Sequence, residues 1–116
     1  MSADLTDREL LELAAKAAGV EVEWRLGVRE GGYYFGETGR WLEWNPLTDD
    51  GDALRLAVAL NLCVNFESQP DGAEVYAFAN WADDPTEADE PLGRDAGAAT
   101  RRAIVRAAAE IERTKG

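Results

Sequence analysis

Helical and strand periods alternate along this chain, and a glycine or proline signal stands at almost every change. That punctuation confines the fold to short helices and short strands in a mixed order. The first segment has well-marked ends. Leu5-Thr6-Asp7-Arg8-Glu9-Leu10 reads as a capping box, with Thr6 accepting from the Glu9 amide, Glu9 reaching back, and Leu5 and Leu10 as hydrophobic staple. Leu10, Leu13, Ala14 and Ala17 then share one face, and Gly19 stands where a left-handed cap belongs.

From Val20 to Leu26 apolar and charged residues alternate, the period of a half-buried strand. Gly31-Gly32 reads as a turn. Tyr33-Tyr34-Phe35 and Arg40-Trp41-Leu42-Glu43-Trp44 flank Gly36-Glu37-Thr38-Gly39 as a hairpin. Asn45-Pro46 ends that strand, because proline cannot donate to a ladder and biases its predecessor away from helix. Thr48, Asp49, Asp50 and Asp52 supply hydroxyl and negative charge for a helix start, and Leu54, Ala57, Val58 and Asn61 follow at helical spacing.

Leu62 to Glu67 and Glu74 to Asn80 form a second predicted hairpin about the turn Gln69-Pro70-Asp71-Gly72. Two prolines and five acids predict a loop over 83–93. A last helix runs from Asp95 to Arg113, with Ala96, Ala99, Ala103, Ala107 and Ile111 as its stripe. Antiparallel strands with helices at the start, middle and end predict an α+β fold. In that fold an antiparallel sheet carries helices on both faces, a three-layer α/β/α sandwich built as a single domain over 1–116.

Composition excludes more than it selects. With 116 residues and 46% hydrophobic content the chain can bury one core and is not a disordered acidic tail. No apolar run is long enough to span a bilayer, and no signal peptide opens the sequence, so no membrane role is expected. The absence of histidine removes Ser-His and Cys-His dyads and most zinc sites. Cys63 has no partner for an internal disulfide and sits in an apolar strand pattern, as a buried, inert thiol would. No Walker or GxGxxG pattern occurs and no nucleophile–base pair stands out, so no catalytic residue, metal or cofactor is assigned.

The 23 acids and 12 bases give a net charge of −11, which argues against DNA as a ligand. The charge is uneven. Residues 94–116 carry six bases against three acids, and the other 93 residues carry six bases against twenty acids. A basic terminal helix on an acidic body has three readings: self-association, an anion site, or pairing within the molecule.

The stretch Trp44-Asn45-Pro46-Leu47-Thr48-Asp49-Asp50-Gly51-Asp52-Ala53-Leu54-Arg55-Leu56-Ala57 resembles the phage ABA sandwich domain family, small phage and prophage proteins related to NinX-like accessory proteins. Ala103 to Ala109 looks like that family's closing helix, and the first helix ending at Gly19-Val20 fits it. The resemblance implies an α/β/α sandwich, a phage or prophage origin and action in the host bacterial cytoplasm. It carries no catalytic residues.

Asp49, Asp50 and Asp52 do not make a calcium loop, because the twelfth position counted from Asp50 is Asn61. Because the resemblance includes Asn45, Pro46, Asp49, Asp52 and Arg55, it implies a structural role for them in the turn, with Asp52 able to pair with Arg55. The tryptophans Trp24, Trp41, Trp44 and Trp81 fill the core, an oligomer interface or a ligand site. Rings of Trp41, Trp44 and Trp81 with guanidinium groups of Arg94, Arg101 and Arg102 would suit a nucleotide. Gly93-Arg94 before the last helix is a candidate anion site.

Asp83, Asp84, Glu87, Asp89 and Glu90 can mimic a phosphate backbone or simply keep the loop solvated. The function expected from this combination is non-enzymatic binding, sequestering a nucleotide-derived signal of host antiviral defence. The alternatives are an acidic inhibitor of a host nuclease or regulator, acting through 83–93, and a structural subunit. A homo-oligomer is expected from the surplus tryptophan and the alanine-faced terminal helix.

Overall fold

The first helix, α1 (Asp7–Ala18), begins and ends as its sequence dictates. In the computed structural model, which describes residues 5–26, 31–37, 40–70, 72–79 and 87–114, the Thr6 hydroxyl accepts from the Glu9 amide at 3.1 Å. The Glu9 carboxylate accepts from the Thr6 amide at 2.8 Å. Gly19 closes the helix at φ 74°, and its amide donates to the carbonyls of the last turn. The buried face is Leu10, Leu11, Ala14 and Ala15. Leu13 and Ala17, expected on that face, lie at its half-buried border.

The first sheet is β1 (Glu23–Leu26), β2 (Gly31–Glu37) and β3 (Arg40–Trp44), in that order and antiparallel throughout. The alternating stretch from Val20 is thus a strand only in its second half, at a sheet edge. Val20 and Val22 pack against the core ahead of it. Gly31 and Gly32 are not a turn. They pair with Leu26 and Arg25 inside the ladder. The strands of the β2–β3 hairpin are those expected, in register from Tyr33–Trp44 to Glu37–Arg40, but Gly36 and Glu37 continue the ladder instead of turning, and 38–39 lie outside the described residues. Tyr33 and Trp44 bury their rings in the core. Arg8 ties α1 to this sheet. Its guanidinium lies 4.1 Å over the exposed Trp24 ring, and it donates to the Tyr33 hydroxyl at 3.4 Å. Burial raises the Tyr33 phenol above its ordinary pKa, and a hydrogen bond to the Glu12 carboxylate adds to the shift.

The helix α2 (Asp50–Ala59) follows the Asn45-Pro46 stop. Leu54, Ala57 and Val58 take the helical spacing read for them, while Asn61 falls beyond the helix at φ 54°; Leu54 and Val58 point outward, and Ala53, Leu56 and Ala57 face the core. The second sheet is β4 (Cys63–Gln69), β5 (Gly72–Phe78) and β6 (Glu87–Pro91), again antiparallel and in chain order. Cys63 is partly exposed rather than buried. The loop predicted over 83–93 gives way to β6 over Glu87–Pro91, and 83–86 lie outside the described residues. Glu87 and Asp89 flank Ala88, which is buried against the core, and Pro91 falls at the end of an edge strand, where a missing donor costs little. Pairing with β5 decided the conformation, not local composition.

The last helix, α3 (Ala96–Thr114), starts where Asp95 accepts from the Ala98 amide at 2.9 Å. It rests on β5 and β6 on one side and on α1 and α2 on others. Double coverage explains why it buries Ala103, Ile104, Val105, Ala107, Ala108, Ala109 and Ile111, more than the single stripe expected, while Ala96 stays exposed. Alanine lets the backbones of these elements approach closely. The fold is α+β, as the sequence predicts. The strands expected in one sheet are divided between two three-stranded sheets. One hydrophobic cluster joins α1, both sheets, α2 and α3. Among the described residues no helix is long and apolar enough to cross a membrane.

Candidate interaction surface

The stretch 44–57 is a folding unit whose polar groups bond to one another. The Asn45 side chain accepts from the Leu47 amide at 3.0 Å, an Asx turn around the fully buried Pro46. Asp49 caps α2 by accepting from the Asp52 amide at 2.8 Å. Asp52, only 6% exposed, accepts from the Asn45 amide at 2.9 Å and from the Arg55 guanidinium at 2.7 Å. That bond raises the Arg55 pKa above its ordinary value. Gly51 leaves room for Arg55, since a Cβ there would meet Arg55 Nη2 and Asp49 Oδ2 at 3.2 Å. These contacts tie Asn45, Asp49, Asp52 and Arg55 together in the turn ahead of α2, with Pro46 buried within it.

Of the residues expected around a nucleotide, Trp44, Arg101 and Arg102 are engaged elsewhere. Trp44 is 5% exposed, so its ring faces are covered by the core instead of open to a base. Trp41 pairs in β3 opposite Gly36, and Trp81 lies outside the described residues. Arg101 donates to the Leu47 carbonyl at 2.8 Å and to Asp50 at 2.6 Å, strapping α3 to the α2 turn. Arg102 bonds Asp7 of α1 at 3.0 Å, and Arg106 bonds the Asp89 carbonyl and the Glu90 carboxylate of β6. The basic helix therefore spends these charges on pairing within the molecule. Arg94 is exposed, but the adjoining helix N-terminus already holds the Asp95 carboxylate.

What the molecule does present is apolar. Phe66 of β4 is 61% exposed, and Leu54 and Val58 of α2 are 65% and 71% exposed. Leu54 and Phe66 line one open groove of about 360 Å³ with Ala53, Thr100 and Ile104, and Asp50 and Arg101 stand at its rim. Val58 continues the Leu54 face one turn further along α2.

The register shows why Phe66 is bare. Directly opposed residues of antiparallel strands share a face. Phe66 opposes Val75, and Val75 opposes Glu90, which Arg106 of α3 holds. Phe66 is therefore on the core side of the sheet. But α3 rests on β5 and β6, and the core side of β4 extends past it.

Charge adds a second feature. Residues 56–93 contain no Lys or Arg, and they carry Glu67, Asp71, Glu74, Asp83, Asp84, Glu87, Asp89 and Glu90. Glu67 opposes Glu74 on the outer face of the second sheet. Sequence reasoning missed this surface. The available signal was the excess of apolar positions on α2, where Leu54 and Val58 widen the stripe beyond what one core face takes.

Comparison with known proteins adds no relative: no family model, no curated protein and no solved structure matches the chain.

Proposed function

We propose that this chain is a non-enzymatic protein-binding module that docks a basic partner through the apolar surface of α2 and β4. The observation that carries the reading is the joint exposure of Leu54 and Phe66 in one groove, with the exposed Val58 one turn further along α2. Contiguous exposed apolar side chains with polar surroundings mark interaction sites on folded proteins. The surplus of acids supplies steering, since Arg55, Arg101, Arg102, Arg106 and Arg113 are each paired with acids of the same chain. The resemblance of 44–57 to the phage ABA sandwich domain family supports a phage or prophage setting. There such a module would occupy the basic site of a host nuclease or regulator in the bacterial cytoplasm. Capture of a nucleotide-derived signal fits less well, because it needs open rings and uncommitted guanidinium groups, and Trp44, Arg101 and Arg102 are neither.

A photo-crosslinking amino acid placed at Val58, with a control at the exposed Lys16 of α1, tests the reading in bacterial lysate. The expected adduct forms from position 58 alone, weakens with salt, and disappears in a Phe66→Ser background. Equal crosslinking from both positions, or none from position 58, refutes it.

A further inference from the structure

Among the described residues β4 is an edge strand of the second sheet beside this surface, and its two faces differ in chemistry. Among the described residues β4 pairs with β5 alone. It is seven residues long, runs in unbroken register, and contains neither proline nor lysine. Edge strands are ordinarily blunted by such devices. The opposite edge, β6, has them: it is five residues long, ends at Pro91, and its Asp89 carbonyl is taken by Arg106.

On the core side of β4 stand Val64 and Phe66, beside the groove of Leu54 and Ile104. On the outer side stand Asn65 and Glu67. Glu67, which accepts from the Tyr76 hydroxyl at 3.5 Å, lies directly across from Glu74. Like charges directly opposed across strands are unfavourable, and a cation beside them relieves the repulsion.

We propose that β4 accepts an extended segment of a partner protein whose residues alternate between apolar and basic, added as a fourth strand of the second sheet. The inference rests on the protein-binding reading above and specifies the partner's chemistry. Main-chain hydrogen bonds to the β4 edge hold the segment, as in other strand additions. Its apolar side chains continue the core side and cover Phe66. Its Lys or Arg side chains fall on the outer side beside Glu67 and Glu74. Charge selects this occupant over a second copy, which would bring another −11 to the same edge.

The test uses fluorescein-labelled synthetic peptides and the full chain, read by fluorescence anisotropy and amide hydrogen exchange. The probes are alternating Val/Lys, the same residues in blocks, alternating Val/Glu, and a helix-forming Leu/Lys amphipath. The expected result is that alternating Val/Lys binds about tenfold or more tightly than the block peptide of equal charge. It also slows exchange at alternate β4 amides, and N-methylation of its ladder-facing amides abolishes binding. The variant Glu67→Lys/Glu74→Lys should reverse the preference between the Lys and Glu peptides.

Tight binding of the helical probe with none of the extended one overturns strand addition and leaves the interaction surface standing. Binding without protection of β4 overturns it too. So does a dimer of the free protein that protects β4 and dissociates on Phe66→Ser. No binding by any probe, together with no crosslink from position 58, removes both readings.

Discussion

Replacing Asp52 tests whether the 44–57 unit is a structural module. Asp52→Ala deletes a 6%-exposed carboxylate that accepts from the Asn45 amide at 2.9 Å and from Arg55 at 2.7 Å. A hydrogen bond from a backbone amide to a charged acceptor contributes ~1.5–3 kcal/mol, and an acid in the first turn of a helix adds ~0.3–1 kcal/mol. The expected loss is therefore about 2–4 kcal/mol. For a domain of this size that lowers Tm by roughly 10 °C or more.

Asp52→Asn preserves the shape and one acceptor oxygen but loses the charge, so its cost should fall near half, about 1–2 kcal/mol. Urea denaturation gives both numbers. The midpoint should drop with an unchanged slope, because the surface exposed on unfolding is the same. Hydrogen exchange at the Asn45 amide should accelerate more in the alanine variant than in the asparagine variant. If Asp52→Ala unfolds within about 0.5 kcal/mol of the parent, or the two variants are equal, the carboxylate does not organise the turn and the reasoning fails.

Other outcomes follow from the same contacts. Arg101→Ala frees the Leu47 carbonyl and Asp50 and should cost about 1–2 kcal/mol in chemical denaturation, with the α2 turn exchanging faster. Ala107→Leu forces a larger side chain between α3 and its neighbours, where the alanine is fully buried. It should destabilise by about 1–3 kcal/mol, seen as a lower Tm. The Tyr33 phenol should ionise above the ordinary value of about 10 when followed by phenolate absorbance. The unfolded chain releases that proton first, so stability is unaffected below about pH 10 and declines as pH climbs through the folded pKa; Tyr33→Phe should remove the decline. A thermal-shift screen of mono-, di- and cyclic nucleotides should leave Tm unchanged, and a concentration-dependent rise would restore the nucleotide-capture reading.

Local signals in the sequence were accurate where the chemistry is local. The Thr6–Glu9 capping box, the left-handed Gly19, the Asp49 cap and the start of α3 at Asp95 depend on residues three or four positions apart. They could be read without knowledge of the rest of the fold. Strand pairing depends on distant partners. Glu87–Pro91 carries the composition of a loop, yet it pairs along β5 and buries Ala88. Gly31-Gly32 has the composition of a turn, yet it extends β2 against β1. The division into two sheets is likewise a matter of which strands find neighbours, and the order of elements along the chain does not contain it.

The same distinction governs the candidate site. An arginine on a helix is written identically whether it will meet a phosphate or an aspartate of its own chain. Arg102 finds Asp7, ninety-five positions away, and Arg101 finds Asp50 and the Leu47 carbonyl. Neither partner is visible from the helix sequence. Exposure is equally non-local. Phe66 obeys the alternation of β4 and belongs to the core side by register. It is bare because α3 is seated over the two strands beyond it. An apolar residue in the right phase but outside the footprint of the covering helix has two possible fates, loss of solubility or a partner. The acid-rich segment 56–93 repels like-charged copies and attracts positive charge. It therefore opposes the first fate, and the cover proposed for β4 is a basic partner.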